Sequence, residues 1–111
     1  MNLTTSRVNG VAVLTVQEAR LTFPALPDLA SAATDLIANG ETRILLDLTA
    51  VGYVDSAAIG CLMDLYRQTT AAGGTLKLAG VQKRVETMLT MTGAHHFLEV
   101  HADTAAGLAS F

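Results

Sequence analysis

The segment RILLDL, from Arg43 to Leu48, restricts the fold of this chain more than any other feature of the sequence. It is apolar almost throughout, a pattern that is typical of a central strand covered by other elements on both faces. Such strands pair mainly in parallel, and parallel strands need long crossover connections that are usually helices. The segment therefore predicts an α/β fold in which helices connect the strands of a sheet.

Several other stretches have the composition of strands. VAVLTV, from Val11 to Val16, is rich in β-branched residues and follows the turn dipeptide Asn9-Gly10, which predicts a hairpin with a strand at Leu3–Arg7. TLKLAG, from Thr75 to Gly80, alternates as a strand does, and a short edge strand is expected near Phe97–Val100. Together with RILLDL, these stretches predict a mixed central sheet of about four to five strands.

The remaining segments follow the periodicity of helices with one buried face, near residues 28–39, 56–73, 81–93 and 103–111. Asp103 is expected to cap the last of them. The predicted core residues are Leu29, Ala32, Ala33, Leu36 and Ile37 in the first, Val81, Val85, Met88 and Leu89 in the third, and Ala106, Leu108 and Phe111 in the last. The order of these elements predicts one α/β domain over residues 1–111, with about four α-helices around the mixed sheet.

Charge and hydropathy argue against several classes of partner. The net charge is −3 and the few basic residues are scattered, so no basic face for nucleic acid is expected. Charged residues interrupt the most apolar region, so no segment reaches the roughly 18 to 20 residues that cross a bilayer. The first residues, MNLTTSRVNG, lack the regions of a signal peptide. Because Cys61 is the only cysteine, no disulfide can form within the chain, and a cytoplasmic location is expected.

The stretch GYVDSAAIG, from Gly52 to Gly60, joins a strand-like run to a helix-like run through Asp55 and Ser56. Ser56 is expected to be the N-cap of the helix, at the end of the sheet where α/β folds commonly place functional groups. A nucleophile elbow is excluded because it needs glycine where Val54 and Ala58 stand. A phosphate-binding loop fits poorly, because Gly52 and Gly60 do not match the spacing of that motif and no lysine follows to meet a phosphate.

The three histidines, His95, His96 and His101, all fall near the end of the chain and far from Ser56 in sequence. A Ser-His-Asp site is therefore not expected. Neighbouring residues rarely bind one metal ion together, so the pair His95-His96 indicates a loop and not a metal site. The sequence predicts no catalytic residue, no metal and no cofactor.

Covalent regulation is another interpretation of Ser56. A phosphate at a helix N-terminus is stabilised by the helix dipole and by N–H groups that lack partners within the helix. It would add about two negative charges beside the carboxylate of Asp55 without melting the helix. Its main effect would be on what can dock at this surface.

The helix that follows Ser56 has two different sides on a helical wheel. The predicted core side carries Ile59, Leu62, Met63, Tyr66 and Thr70, and the opposite side carries Ala57, Cys61, Asp64 and Gln68. Small and polar residues one turn apart allow the backbone of another protein to approach, although a solvated face has the same pattern. Cys61 is expected to be a contact residue, because no cation is placed to lower the pKa of its thiol.

Residues Arg43 to Val100 resemble the signature region of STAS domains, the sulfate transporter and anti-sigma factor antagonist family. The similarity is strongest to the stand-alone bacterial antagonists. The shared features are the strand end Asp47-Leu48, the Asp55-Ser56 step, Ile59-Gly60, the Gly73-Gly74 turn and the helix end Met91-Thr92-Gly93. Element order is also consistent with the family before Asn39.

This resemblance implies that the protein is an anti-sigma factor antagonist and performs no chemistry itself. Ser56 would be phosphorylated by the cognate anti-sigma factor, a serine kinase that binds the unmodified antagonist. Phosphorylation would release the antagonist, and a metal-dependent PP2C-type phosphatase would restore it. The residues predicted to contact the partner are Asp55, Ser56, Ala57, Ala58, Cys61, Asp64 and Gln68.

Two positions depart from the family pattern: Ala58 stands where glycine is common, and Thr22 stands where members often have aspartate. The extra methyl group of Ala58 is expected to alter how closely a kinase approaches. These departures leave open an unphosphorylated interaction module, such as a stressosome-type scaffold subunit or the STAS subunit of a lipid-transporting ATPase complex. An enzyme, or a domain that binds a nucleotide or lipid, is a third alternative, because a fold does not fix a function.

Overall fold

The computed structural model describes all 111 residues of the chain. The strands are β1 (Leu3–Val8), β2 (Val11–Val16), β3 (Arg20–Leu21), β4 (Arg43–Asp47), β5 (Tyr53–Val54), β6 (Thr75–Ala79) and β7 (Glu99–His101). The helices are α1 (Leu26–Ala38), α2 (Ser56–Ala71), α3 (Lys83–Met91) and α4 (Thr104–Ala109). Five strands form a mixed sheet in the order β1-β2-β4-β6-β7, in which only β1 and β2 are antiparallel. The predicted α/β fold with a mixed sheet and about four helices is confirmed.

The β1–β2 hairpin forms at the predicted dipeptide. Asn9 and Gly10 have φ angles of 51° and 80°, and they connect the paired residues Val8 and Val11. A two-residue turn with positive φ at both positions has the backbone twist that suits a hairpin, and Asn-Gly adopts it at low cost.

The apolar run in β4 is explained by cover on both faces of the sheet. Ile44 and Leu46 point into the main core beneath α1, α2 and α3. Leu45 points to the opposite face, where it lies in a smaller cluster with Val11, Val13 and Ala79 that Leu108 and Phe111 cover. All three side chains of the run are fully buried, as the sequence predicts for a central strand.

Lys77 attaches the end of the chain to the second face of the sheet. Its side chain is largely buried, and Nζ donates hydrogen bonds of 2.8 Å and 2.9 Å to the carbonyl oxygen and Oγ of Ser110. Nζ also lies 3.0 Å from Oε2 of Glu99 in β7 and 4.8 Å from the centre of the Phe111 ring. The buried ammonium is therefore paired, as burial of a charge requires.

The structure corrects the predicted buried face of α2. Its buried residues are Ala58, Ile59, Leu62, Leu65 and Thr69. Thr70 was expected in the core and is exposed, whereas Thr69 is buried and satisfies its hydroxyl by donating a 2.6 Å hydrogen bond to the carbonyl oxygen of Leu65. Met63 and Tyr66 pack at the margin of the core, so the real apolar face is rotated from the predicted one.

Other helices differ from the prediction mainly at their ends. In α4, Gly107 is buried and Ala106 is exposed, and a Cβ added at Gly107 would lie 2.8 Å from Leu45 Cδ1, so Gly107 packs closely against the sheet. α1 begins at Leu26, earlier than expected, with Pro27 in its first turn, where the missing N–H costs nothing.

No helix is both long enough and apolar enough to cross a membrane.

Candidate functional site

The site forms where β5 runs into α2. Ser56 is the first residue of α2, and Asp55 precedes it with the extended backbone of an N-cap residue. Oδ1 of Asp55 accepts a 2.8 Å hydrogen bond from the backbone N–H of Ala58. The prediction that Ser56 caps the helix is therefore wrong, because the chain leaves the extended conformation one residue earlier and Asp55 is an equally good cap.

Ser56 is left with a free hydroxyl. Its side chain is exposed, and it makes no hydrogen bond with another group of the protein. The backbone N–H groups of Ser56 and Ala57 also donate to no group of the chain, as is usual in the first turn of a helix. An exposed hydroxyl thus lies beside two unpaired N–H donors at the positive end of α2.

A second element reaches the site through the short sheet of β3 and β5. Arg20 pairs with Tyr53 and Leu21 with Val54, so the residues that follow β3 lie beside the start of α2. There Oδ2 of Asp55 accepts a 3.0 Å hydrogen bond from the backbone N–H of Phe23. Asp55 therefore joins two segments that are 32 residues apart in sequence.

Phe23 is a residue of this surface that the sequence interpretation missed. Its side chain is 70% exposed and lies next to the Asp55-Ser56 step. It opens a 3₁₀ turn, Phe23–Ala25, that follows Thr22 directly. The only available signal was an aromatic residue in a proline-containing loop, which does not distinguish an exposed side chain from a buried one.

The predicted contact residues on α2 do not all share one surface. Ala57, Asp64 and Gln68 are exposed, and Gly60 between them has open space where a side chain would begin. Ala58 is 0% exposed and packs in the main core, so its side chain offers no surface to a partner. The sequence pattern therefore misplaced Ala58, whose methyl group points inward.

The exposed residues Ala57, Gly60, Asp64 and Gln68 form a strip along α2, here called the exposed strip. Cys61 lies at the edge of the exposed strip and is half-buried against the core. Burial, and secondarily the charge of Asp64, raise the pKa of its thiol above the usual cysteine value. A raised pKa disfavours the thiolate, which is the reactive form. Cys61 is thus suited to packing and not to nucleophilic chemistry.

Asp64 and Gln68, at the far end of the exposed strip, each contact a neighbouring side chain. Asp64 forms an exposed ion pair of 2.8 Å with Arg67 one turn later. Gln68 Oε1 accepts a 3.3 Å hydrogen bond from the hydroxyl of Thr34 in α1. The exposed strip therefore runs from the Asp55-Ser56 step to the contact between α1 and α2.

The three histidines contact groups that lie outside the candidate site. The ring centres of His95 and His96 lie 4.0 Å apart with the ring planes tilted by 36°, and His95 Nδ1 lies 3.4 Å from the carbonyl oxygen of Leu89. His101 pairs with Glu99 in β7. No group of three or more His, Cys, Asp or Glu side chains is arranged to hold a metal ion.

A family model of the STAS domain matches residues 2–107 of the chain. The chain belongs to the STAS domain family. This STAS domain is 25% identical over 67 residues to a Thermotoga neapolitana protein whose name assigns it provisionally to the anti-sigma factor antagonists. That match covers 60% of this chain and 59% of the relative, less than two thirds of its length.

Solved structures share the fold of this STAS domain. A structure named provisionally as an anti-sigma factor antagonist, from Thermotoga maritima, has a TM-score of 0.88 at 18% identity, over 97% of this chain and 92% of that one. The Bacillus cell fate determinant SpoIIAA, in its phosphorylated form, has a TM-score of 0.76 at 15% identity, over 98% of both chains. At these identities the similarity shows a common fold.

Proposed function

We propose that this STAS domain is an anti-sigma factor antagonist that binds an anti-sigma factor serine kinase and is released when that kinase phosphorylates Ser56. The observation that carries the proposal is the division of roles at the start of α2. Asp55 is the cap, so the exposed Ser56 hydroxyl is not needed to hold the helix. Modification of Ser56 can therefore change the surface and leave the fold in place.

The reaction needs only an acceptor from this protein. Ser56 Oγ would attack the γ-phosphorus of ATP held by the kinase, forming an Oγ–P bond as the bond to the ADP oxygen breaks. The hydroxyl proton would pass to a base of the kinase, which also supplies the metal ion that neutralises the phosphates. A PP2C-type phosphatase would hydrolyse the ester and regenerate the free serine.

Electrostatics give the switch its direction. The product phosphate carries about two negative charges at the end of α2, where the helix dipole and the free N–H groups of Ser56 and Ala57 stabilise it. On the docking surface the same charges join the carboxylates of Asp55 and Asp64. A kinase surface that fits the unmodified protein would then meet repulsion and an uncompensated desolvation cost.

The buried position of Ala58 supports this proposal over a scaffold without phosphorylation. The methyl group that distinguishes Ala58 from the family glycine lies in the core and adds nothing to the exposed strip. The other difference from the family pattern, Thr22 in place of aspartate, does lie at the candidate site, because Thr22 precedes Phe23 in the loop beside Asp55. Copurification with an ABC ATPase or a megadalton particle, and not with a kinase, would favour the scaffold alternative.

The proposal is tested by incubating the purified protein with candidate serine kinases from the same genome and ATP, followed by intact-mass and peptide mass spectrometry. One phosphate is expected, and Ser56→Ala should abolish it. Ser31→Ala is the matched control, because Ser31 is also an exposed helical serine but lies on α1. Phosphate on another residue with Ser56 unmodified would overturn the site assignment.

A further inference from the structure

The two carboxylate oxygens of Asp55 bind two different segments of the chain. Oδ1 accepts the N–H of Ala58 at 2.8 Å and completes the start of α2. Oδ2 accepts the N–H of Phe23 at 3.0 Å and holds the loop that follows β3. Hydrogen bonds to an ionised acceptor are stronger than those between neutral groups, so this carboxylate fixes both segments.

The turn that begins at Phe23 receives no other side-chain bond at its start. Thr22 stands at the capping position of the turn, but its hydroxyl accepts no hydrogen bond there. The Phe23 side chain itself is 70% exposed, so little packing holds it. The β3–β5 pairing brings Phe23 to this surface, and the Oδ2 atom of Asp55 is the side-chain atom that then holds the Phe23 backbone there.

A phosphate on Ser56 would compete with the Asp55 carboxylate. Both are anions, they belong to adjacent residues, and both are attracted to the N–H groups at the start of α2. The phosphate carries the larger charge and can accept from the free N–H groups of Ser56 and Ala57. Mutual repulsion then favours rotation of the carboxylate, which weakens the Oδ2 bond to Phe23, while the phosphate accepts from the N–H groups at the start of α2 and keeps that helix end satisfied.

We propose that Asp55 is a positioning residue that couples Phe23 to Ser56, and that phosphorylation of Ser56 releases Phe23 from its place on the surface. The proposal deepens the proposed function and rests on it. A protein partner with an apolar pocket for an aromatic ring would bind the unmodified form, in which the ring is already in place. Phosphorylation would add a dianion and also remove this preorganised contact.

The test is amide hydrogen exchange measured by NMR on the ¹⁵N-labelled full chain, with no kinase present. Phosphoserine is incorporated at position 56 during translation, so the modified state is obtained whether or not a kinase exists. Asp55→Asn is the key variant, because the asparagine oxygen still accepts the Ala58 N–H but its NH₂ group cannot accept from Phe23. Asp103→Asn is the matched control, since Asp103 caps α4 through Ala106 with no second bond.

The exchange rate of the Phe23 amide is expected to rise at least about tenfold in Asp55→Asn and in the phosphoserine protein, the size of effect that loss of one hydrogen bond to a charged group produces. The Ala58 amide should stay protected in Asp55→Asn, and Asp103→Asn should leave Phe23 unchanged. An unchanged Phe23 rate in either the phosphoserine protein or Asp55→Asn would overturn the coupling. Failure of every kinase to modify Ser56 would instead overturn the proposed function, because the exchange result does not depend on a kinase.

Discussion

Asp55 and Asp103 cap α2 and α4 through the same hydrogen bond, each accepting at 2.8 Å from the backbone N–H three residues later. They differ in the second carboxylate oxygen, which in Asp55 also accepts from Phe23. Both residues make the capping bond, and only Asp55 also makes a bond to a distant segment. Substituting each in turn therefore distinguishes the stability that comes from the helix cap from the stability that comes from the bond to Phe23.

We expect Asp55→Ala to destabilise the protein more than Asp103→Ala. Loss of an aspartate cap typically costs about 1 kcal/mol, and loss of the bond to Phe23 adds roughly another 1 kcal/mol. The free energies of unfolding in urea, measured at neutral pH for both variants and the unmodified chain, test this expectation. Equal losses would show that the bond between Asp55 and Phe23 contributes nothing to stability.

Phe23→Ala should weaken the complex with the serine kinase that modifies Ser56, by at least about tenfold if the ring is an interface anchor. Its stability should change by less than about 0.5 kcal/mol, because the side chain is exposed. Met91→Ala is the control, since Met91 is an apolar side chain that is 77% exposed but belongs to a different helix, as the last residue of α3. Affinities measured by calorimetry that fall equally for both variants would contradict a specific role for Phe23.

Gly60→Ala should raise the stability of the protein and lower its affinity for the kinase. An added Cβ at Gly60 meets no atom within 4 Å, and alanine favours a helix interior by about 0.5–1 kcal/mol over glycine, so the free energy of unfolding should rise. The new methyl group stands on the exposed strip and should weaken kinase binding.

Gly74→Ala provides the contrasting variant. A Cβ at Gly74 would lie 2.0 Å from the carbonyl oxygen of Thr42, so this substitution should destabilise the fold by at least about 2 kcal/mol. Thermal unfolding and a binding assay on both variants check the pair. Loss of stability in Gly60→Ala would indicate that Gly60 is not in open space.

Glu99 should make the stability of the protein depend on pH. Hydrogen bonds from His101 and then from Lys77 lower the pKa of Glu99 below its usual value. A lowered pKa stabilises the folded state at pH values above the pKa of the unfolded chain, about 4.3, and that contribution is lost as the pH falls through the lower folded pKa. Because the side chain is 54% exposed, solvent screening limits the effect to less than about 1 kcal/mol.

Glu99→Gln removes this contribution. The difference in free energy of unfolding between the unmodified chain and Glu99→Gln should therefore shrink as the pH falls from 6 to 3, roughly the range in which the carboxyl group titrates. Urea unfolding at several pH values measures it. A difference that stays constant over this range would contradict the role of the Glu99 carboxylate.

The sequence predicted the parts of the fold that have a repeating pattern. The apolar run of β4, the Asn9-Gly10 turn and the helical spacing in α1 each extend over enough residues to identify an element. β3 and β5 contain two residues each, too few to show any alternation. The buried face of α2 was misjudged because Thr69 and Thr70 are identical residues, and only tertiary packing decides which of them faces inward.

The candidate site was predicted in outline and not in its contacts. The Asp55-Ser56 step identified the position, but both residues are favourable caps, and only the backbone conformation decides between them. Phe23 could not be assigned to the site, because its approach to Asp55 depends on the pairing of β3 with β5. A single sequence carries no local signal for such a contact.

We expect the surface around Ser56 to form late in folding, because it requires the pairing of β3 with β5. The β1–β2 hairpin closes between neighbours in sequence, whereas Phe23 and Asp55 are 32 residues apart, so their contact carries the larger loop-closure cost. A chain that has formed only its hairpin and helices presents Ser56 without Phe23 beside it. A partner that must contact both residues would therefore bind only molecules in which this long-range contact has formed, and would not bind incompletely folded chains.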